Sequence, residues 1–304
     1  MGINEGRVVI VTGAAGGIGR EHALEFARQG AKVVVNDLGP AEAVVEEIKA
    51  LGGEAIANKD DISDFDGAGR LVRSAIDTFG TVHVLVNNAG ILRDKMFVNM
   101  TVDQWDDVMR VHLRGTFAPS QHVASYWREQ HKAGTPVAHP RIINTSSPSG
   151  LYGNIGQANY GAAKAGIAAF TVILADELAR LGVTVNAIAP TALTQMTAGL
   201  EGFVAAMEAE KERTGFDAAA PANISPTVVW LGSPESDGIT GRIFNVHGGS
   251  ISVAETWVAG PGVSKNARWD PAELGEVIPA LVAEARPNSD MAGQSRNENS
   301  RQGL

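Results

Sequence analysis

Three observations predict an α/β fold for this 304-residue chain: short β-branched runs alternate with helix-length stretches between residues 7 and 246, the first run opens into a glycine-rich loop, and the second closes on an acidic residue. Strands buried on both faces read as near-continuous apolar runs, and such runs alternating with helices build a parallel sheet covered on both sides. The expected architecture is a doubly wound parallel sheet in a single domain, residues 1–255, with a C-terminal tail at 256–304.

The elements follow in order. Residues 7–11 form the first strand, followed by Thr12-Gly13-Ala14-Ala15-Gly16-Gly17-Ile18-Gly19 and an amphipathic helix that stops at Gly30. Gly13, Gly17 and Gly19 let the backbone approach a pyrophosphate and set it on the helix N-terminus, where free N–H groups and the dipole favour negative charge; this is the Rossmann arrangement. A glycine-rich turn without a ligand is the alternative. The second strand, residues 31–36, ends in Asp37, placed to accept hydrogen bonds from the adenosine ribose hydroxyls and to repel a 2′-phosphate. NAD is therefore expected over NADP, with Arg20 as the one nearby cation that argues the other way. Asp37 also suits an N-cap for the helix at 40–51.

A strand at 54–57 precedes Asp60-Asp61-Ile62-Ser63, where Asp61 or Ser63 is suited to cap the helix that ends near Phe79. Residues 82–86 form the next strand and run into Asn87-Asn88-Ala89-Gly90. A helical pattern spans 101–128, with a break expected around Gly115. After the strand beginning at Ile142, the chain breaks at Pro148 and Gly150 and re-enters as a helix carrying Tyr160 and Lys164. Ile167, Phe170, Leu174 and Leu178 then repeat at helical spacing, as core or as a subunit interface. Residues 183–190 and 242–246 supply the sixth and last strands. The segment 191–222 between them is expected to be a substrate lid, or an ordinary peripheral helix pair.

Tyr160 and Lys164 lie four apart, hence on one helix face. A cation held beside a phenol favours the phenolate and lowers a pKa that otherwise lies near ~10. Tyr160 is then expected to trade protons near neutrality, and Ser147, at the upstream strand end, to hydrogen-bond the same substrate oxygen. These three residues make a proton-transfer site for an alcohol or a carbonyl.

Composition excludes other classes. The formal net charge is −9 with no basic stripe, which argues against nucleic acid, and the absence of cysteine removes disulfides, thiolate catalysis and thiolate metal sites. No metal site is expected. No apolar run approaches ~18 residues and the N-terminal residues lack the apolar core of a signal peptide, so no membrane insertion and a cytoplasmic location are expected.

The combination of T-G-x-x-x-G-x-G, Asn-Asn-Ala-Gly and Ser147 with Tyr160-x-x-x-Lys164 resembles the short-chain dehydrogenase/reductase family over roughly residues 5–252. The resemblance implies hydride transfer between a secondary alcohol and NAD, with Ser147, Tyr160 and Lys164 catalytic and Lys164 also holding the nicotinamide ribose. It implies cofactor contacts from Gly13, Ala15, Gly17, Ile18, Gly19, Asp37, Asp61, Ile62, Asn87, Ala89 and Gly90, with Asn88 bracing the sheet. Pro190, Ala192 and Leu193 follow near the nicotinamide, and Gln195 stands where the family usually has threonine. His112 replaces the family's relay asparagine; it serves either as a relay, for which an ordinary imidazole pKa near ~6.5 is suited, or as a packed histidine.

Runs such as Asn87 to Asp94 and Tyr152 to Tyr160 resemble the (3R)-hydroxyacyl-CoA dehydrogenases of the family. The implied substrate is an acyl-CoA, with a steroid-derived acyl group possible in size, and a free hydroxysteroid as the alternative. A non-catalytic NAD-binding scaffold is the reading from another class. The family implies a homo-oligomer, tetramer or dimer. Trp257 and Trp269 in the tail are expected to pack on this subunit or a neighbour, and the polar end of the chain to be mobile.

Overall fold

The computed structural model describes residues 2–194, 201–255 and 257–296. Every residue of β1 (Val8–Thr12) is buried. On one side of it lie β2 (Lys32–Asn36) and β3 (Glu54–Asn58). On the other lie β4 (Val84–Asn87), β5 (Arg141–Thr145), β6 (Thr184–Thr191) and β7 (Ile243–His247), all parallel. β8 (Ser250–Ala254) closes the edge antiparallel to β7, giving the order β3-β2-β1-β4-β5-β6-β7-β8. The strand order reverses between β1 and β4, so a crevice opens at their carboxyl ends, where ligands of such sheets bind.

The connections are helical: α1 (Gly17–Arg28) and α2 (Ala41–Ala50) follow β1 and β2, and α3 (Phe65–Phe79) follows β3. α4 (Val102–Met109) and α5 (Gly115–Lys132) follow β4. The one-turn α6 (Pro148–Tyr152) and α7 (Ala158–Leu178) follow β5, α8 (Glu201–Thr214) and α9 (Ser225–Leu231) follow β6, and α10 (Leu274–Glu284) lies in the tail. Alternate residues of β1 serve opposite cores, as a side-chain period of two requires. Val9 and Val11 join Leu24, Phe26, Val44 and Ile48 of α1 and α2, while Val8 and Ile10 join Leu71, Val123 and Trp127 of α3 and α5.

The structure departs from expectation in four places. β8 is an additional strand: Gly248-Gly249 is a two-residue hairpin turn, with His247 opposite Ser250 and Gly248 at φ +53°, rather than the end of the sheet. The helix break falls before Gly115, as a π-helical turn at Arg110–Arg114. The cap of α3 is Asp64, whose side chain accepts from Gly67 N, rather than Asp61 or Ser63. In the tail, Trp257 is 97% exposed on the single chain, so it does not pack on its own subunit, and α10 has no buried residue. Within the polar end, Ser289 and Ser295 form an antiparallel bridge.

Candidate active site

Strand ends position each predicted side chain. Gly13 adopts φ +64°, and a Cβ there would lie 2.6 Å from Ala89 Cα, so the loop after β1 passes against the loop after β4 only as glycine. Asn88 Nδ2 donates to Thr12 O and Gly13 O, and the Thr12 hydroxyl accepts from the amides of Asn88 and Ala89. Gly17, Ile18 and Gly19 form the first turn of α1, which no side chain caps. The unpaired amides of such a turn suit an anion.

Asp37 stands over this loop. Its Oδ2 accepts from Ala15 N at 3.0 Å and its Oδ1 from Gly39 N at 2.8 Å, while the N-cap of α2 is Pro40. Asp37 therefore belongs to the crevice and does not cap α2. Arg20, the competing cation, is paired with Glu47 and Glu21. Asp61 accepts from the amide and hydroxyl of Ser63, and Ile62 is buried.

Asn87 is buried and donates to Ser120 Oγ and Asn144 Oδ1, each at 2.9 Å. Its Nδ2 thus braces the sheet, as that of Asn88 does, while its Oδ1 is buried without a partner among the described residues. Pro190 is the penultimate residue of β6, Ala192 is buried, and Leu193 N donates to Ala219 O. Gln195 lies outside the described residues.

The reacting groups converge at the ends of β5 and α7. Ser147 is the N-cap of α6 and its Oγ accepts from Ser149 N at 3.1 Å. Ser147 stands beside the buried Tyr160 phenol and acts to lower its pKa. Lys164, buried, donates from Nζ to Thr145 O at 2.6 Å and lies 5.6 Å from the Tyr160 ring centroid. Burial lowers the Lys164 pKa to about 7, so its charge is only part-populated at neutrality. Burial pushes the Tyr160 phenol above its ordinary value, and Ser147 pulls the other way. The expected depression by Lys164 is thus not what this arrangement produces. The ammonium is itself desolvated and spends its short hydrogen bond on a carbonyl.

The π turn places His112 edge-on to Tyr160, with ring centroids 5.2 Å apart at 87°. Its Nε2 lies 3.1 Å from Ile91 N and 2.8 Å from Ile91 O, and its Nδ1 is buried without a partner. A Cβ at position 90 would come within 2.4 Å of the ring, which explains Gly90. Burial, aided by Lys164, lowers His112 to about 3. The imidazole is neutral at pH 7 and does not titrate near 6.5 as expected.

Sequence reasoning passed over Asn159. It is fully buried, donates to Arg93 O and Gln104 O, and accepts from Tyr160 N, so it fixes the start of α7 against the loop after β4. The available signal was an amide side chain directly before Tyr160 in an otherwise Ala- and Gly-rich helix.

This constellation can move a proton to or from a substrate oxygen beside a nucleotide crevice. Residues 7–213 match the family described as short chain dehydrogenase. The chain belongs to that family.

Among short-chain dehydrogenases it is 42% identical over 282 residues to the hydroxyacyl-CoA dehydrogenase ChsB1 of Mycobacterium tuberculosis, covering 88% of this chain and 86% of that one. It is also 42% identical over 258 residues to the peroxisomal multifunctional enzyme type 2 of Mus musculus, covering 81% of this chain but only 32% of that longer protein. The crystal structure of a short chain dehydrogenase from Mycobacterium avium superposes with a TM-score of 0.85 at 51% identity, covering 94% of this chain and 98% of that one. As a short-chain dehydrogenase the protein is an oxidoreductase of CH–OH groups that works with a nicotinamide cofactor. The uncapped first turn of α1 and the close-packed Gly13 loop fit the pyrophosphate of such a cofactor.

Proposed function

We propose that this short-chain dehydrogenase interconverts a 3-hydroxyacyl-CoA and its 3-oxo form with NAD. The observation that carries the reading is the convergence of Ser147, Tyr160 and buried Lys164, whose Nζ lies 5.6 Å from the Tyr160 ring centroid. The substrate class is supported by the likeness to ChsB1 along most of both chains. NAD is favoured by Asp37 over the glycine loop, by the engagement of Arg20 with Glu47, and by Leu38, 70% exposed, where a 2′-phosphate would want a cation.

Backbone groups of Gly13, Ala15, Gly17, Ile18 and Gly19 would hold the pyrophosphate and Asp37 the adenosine ribose. Asp61 and Ile62 would flank the adenine, with Asn87, Ala89, Gly90, Pro190, Ala192 and Leu193 toward the nicotinamide and Lys164 on its ribose. When bound, the nicotinamide supplies a hydride acceptor for the carbinol carbon, or a donor for the carbonyl. Ser147 donates to the substrate oxygen. Tyr160 takes the hydroxyl proton as the carbonyl forms, and returns it in the reverse direction. Because burial favours the protonated phenol, the resting site is set to donate, and oxidation gains as pH rises. His112, neutral, packs the Tyr160 ring and offers Nδ1 as the one unpaired atom of its imidazole.

The proposal extends to a cytoplasmic homo-oligomer. An apolar groove of about 470 Å³ lies between α5 and α7, lined by Leu113, Phe117, Phe170 and Ile173, and suits the helix pair of a second copy. Among the described residues no helix is long and apolar enough to cross a membrane. The test is NADH formation from 3-hydroxyacyl-CoA by the wild-type chain and by Tyr160→Phe. Turnover by the former and a loss of about 10²–10⁴-fold in the latter are expected; equal rates would end the reading.

A further inference from the structure

We propose that the C-terminal hairpin, residues 288–296, is a strap that holds α6, and that Arg296 is thereby a positioning residue for Ser147. The inference rests on the reading of Ser147 given above.

α6 is a single turn whose N-cap is Ser147 and whose last residue is Tyr152. One turn of helix is far below the length that is stable by itself, so α6 keeps its shape through outside contacts. Three are visible. On the inner side, Gly150 lies against α7 so closely that a Cβ would come within 2.6 Å of Lys164 and Ala165. Toward the sheet, Asn245 Nδ2 of β7 donates to Tyr152 Oη at 2.9 Å. From the tail, Arg296 Nη2 donates to Tyr152 O at 3.0 Å, across 144 residues of sequence.

That last bond has a specific consequence. The closing carbonyls of a helix lack intrahelical donors and carry the negative end of its dipole, so a guanidinium there acts as a C-cap. α6 is capped at one end by its own Ser147; at the other, Gly153 N donates to Ser149 O and Arg296 supplies the donor for Tyr152 O. Among the described residues no other donor reaches Tyr152 O.

The hairpin is built to present this group. Asp290 Oδ1 accepts from the amides of Ala292 and Gln294, and Asp290 N donates to Gln294 O at 2.7 Å. Arg296 is itself fixed, with Nε donating to Ser289 O and its amide to Asn288 O, each at 2.8 Å. Gly293, at φ +77°, lies flat on the Tyr152 phenol, where a Cβ would come within 3.2 Å of the hydroxyl oxygen. Beyond Tyr152 the chain is held at Gly156 and Gln157, by Lys95 N donating to Gly156 O and Gln157 Nε2 donating to Asp94 Oδ2. If α6 shifts, its N-cap shifts with it, and Ser147 leaves the geometry in which it meets Tyr160.

The experiment is hydrogen–deuterium exchange of residues 148–157 together with steady-state kinetics on the full-length chain. The variants are Arg296→Ala, Arg296→Lys and Gly293→Val, with Arg286→Ala as control, whose one ion pair among the described residues is a 3.8 Å contact with Glu255 on the surface. Arg296→Ala and Gly293→Val are expected to raise exchange at 148–157 about tenfold or more and to lower kcat by a similar factor, with KM for NAD unchanged. Arg296→Lys, which keeps one donor, falls between, and Arg286→Ala matches the wild type. Unchanged exchange in both Arg296→Ala and Gly293→Val overturns the strap. Raised exchange with unchanged kcat overturns the positioning role. If Tyr160→Phe retains full activity, the failure lies with the catalytic reading, and the exchange data still decide whether Arg296 holds α6.

Discussion

Tyr160 is the residue on which the chemistry turns, and its environment sets a direction for pH effects. Burial holds the phenol above its ordinary pKa and Ser147 opposes that shift. Ser147→Ala removes the opposing influence, so the alkaline-going limb of kcat/KM for oxidation should move to higher pH as well as falling about 10²–10³-fold in height. A pH–rate profile checks both. His22 makes a separate prediction about stability. It is fully buried with Nδ1 2.9 Å from Ser225 Oγ, and burial lowers its pKa to about 3 from 6.5. The unfolded chain therefore binds the extra proton first as pH falls. The contribution of neutral His22 is intact above about 6.5 and is lost progressively toward about 3, on the order of a few kcal/mol. Denaturation curves of His22→Leu should be flatter across that window than those of the wild type.

At the scale of elements, the proposed choice of NAD rests on the pairing of the glycine loop with the end of β2. Asp37→Ser with Leu38→Arg removes the repelling carboxylate and places a cation on an exposed site, and should shift the NADP/NAD ratio of kcat/KM about 100-fold or more toward NADP. Initial rates with both cofactors measure it. This part of the molecule was legible in sequence because backbone approach and charge repulsion each demand one residue type at one place, Gly13 and Asp37. The alternation of strands and helices in a parallel sheet followed similarly, from buried β-branched runs between helices. Other features were not legible. The π turn at Arg110–Arg114 leaves no pattern distinct from an α-helix, so the break was expected at Gly115. The pKa shifts of Tyr160, Lys164 and His112 depend on desolvation by residues remote in sequence. Asn87 and Asn88 look alike in the chain, yet both turn their amides into the sheet. The grip of Arg296 on Tyr152 joins segments that share no motif.

For the whole molecule, exposed apolar surface gathers on the α5–α7 face, with Phe117 44% and Ile173 54% exposed, and in the tail at Trp257. A face of this kind on a folded chain marks an association surface. Ile173→Glu should reduce the mass measured by light scattering to that of a smaller assembly, whereas a wild-type chain that is already monomeric would contradict the oligomer. The central claim concerns the reaction itself. Its most direct test is a panel of (3R)- and (3S)-hydroxyacyl-CoAs of short and steroid size, with free hydroxysteroids, each assayed with NAD and with NADP. Selective NADH formation from (3R)-hydroxyacyl-CoA is predicted. Turnover confined to free steroid alcohols, or to NADP, would contradict the account.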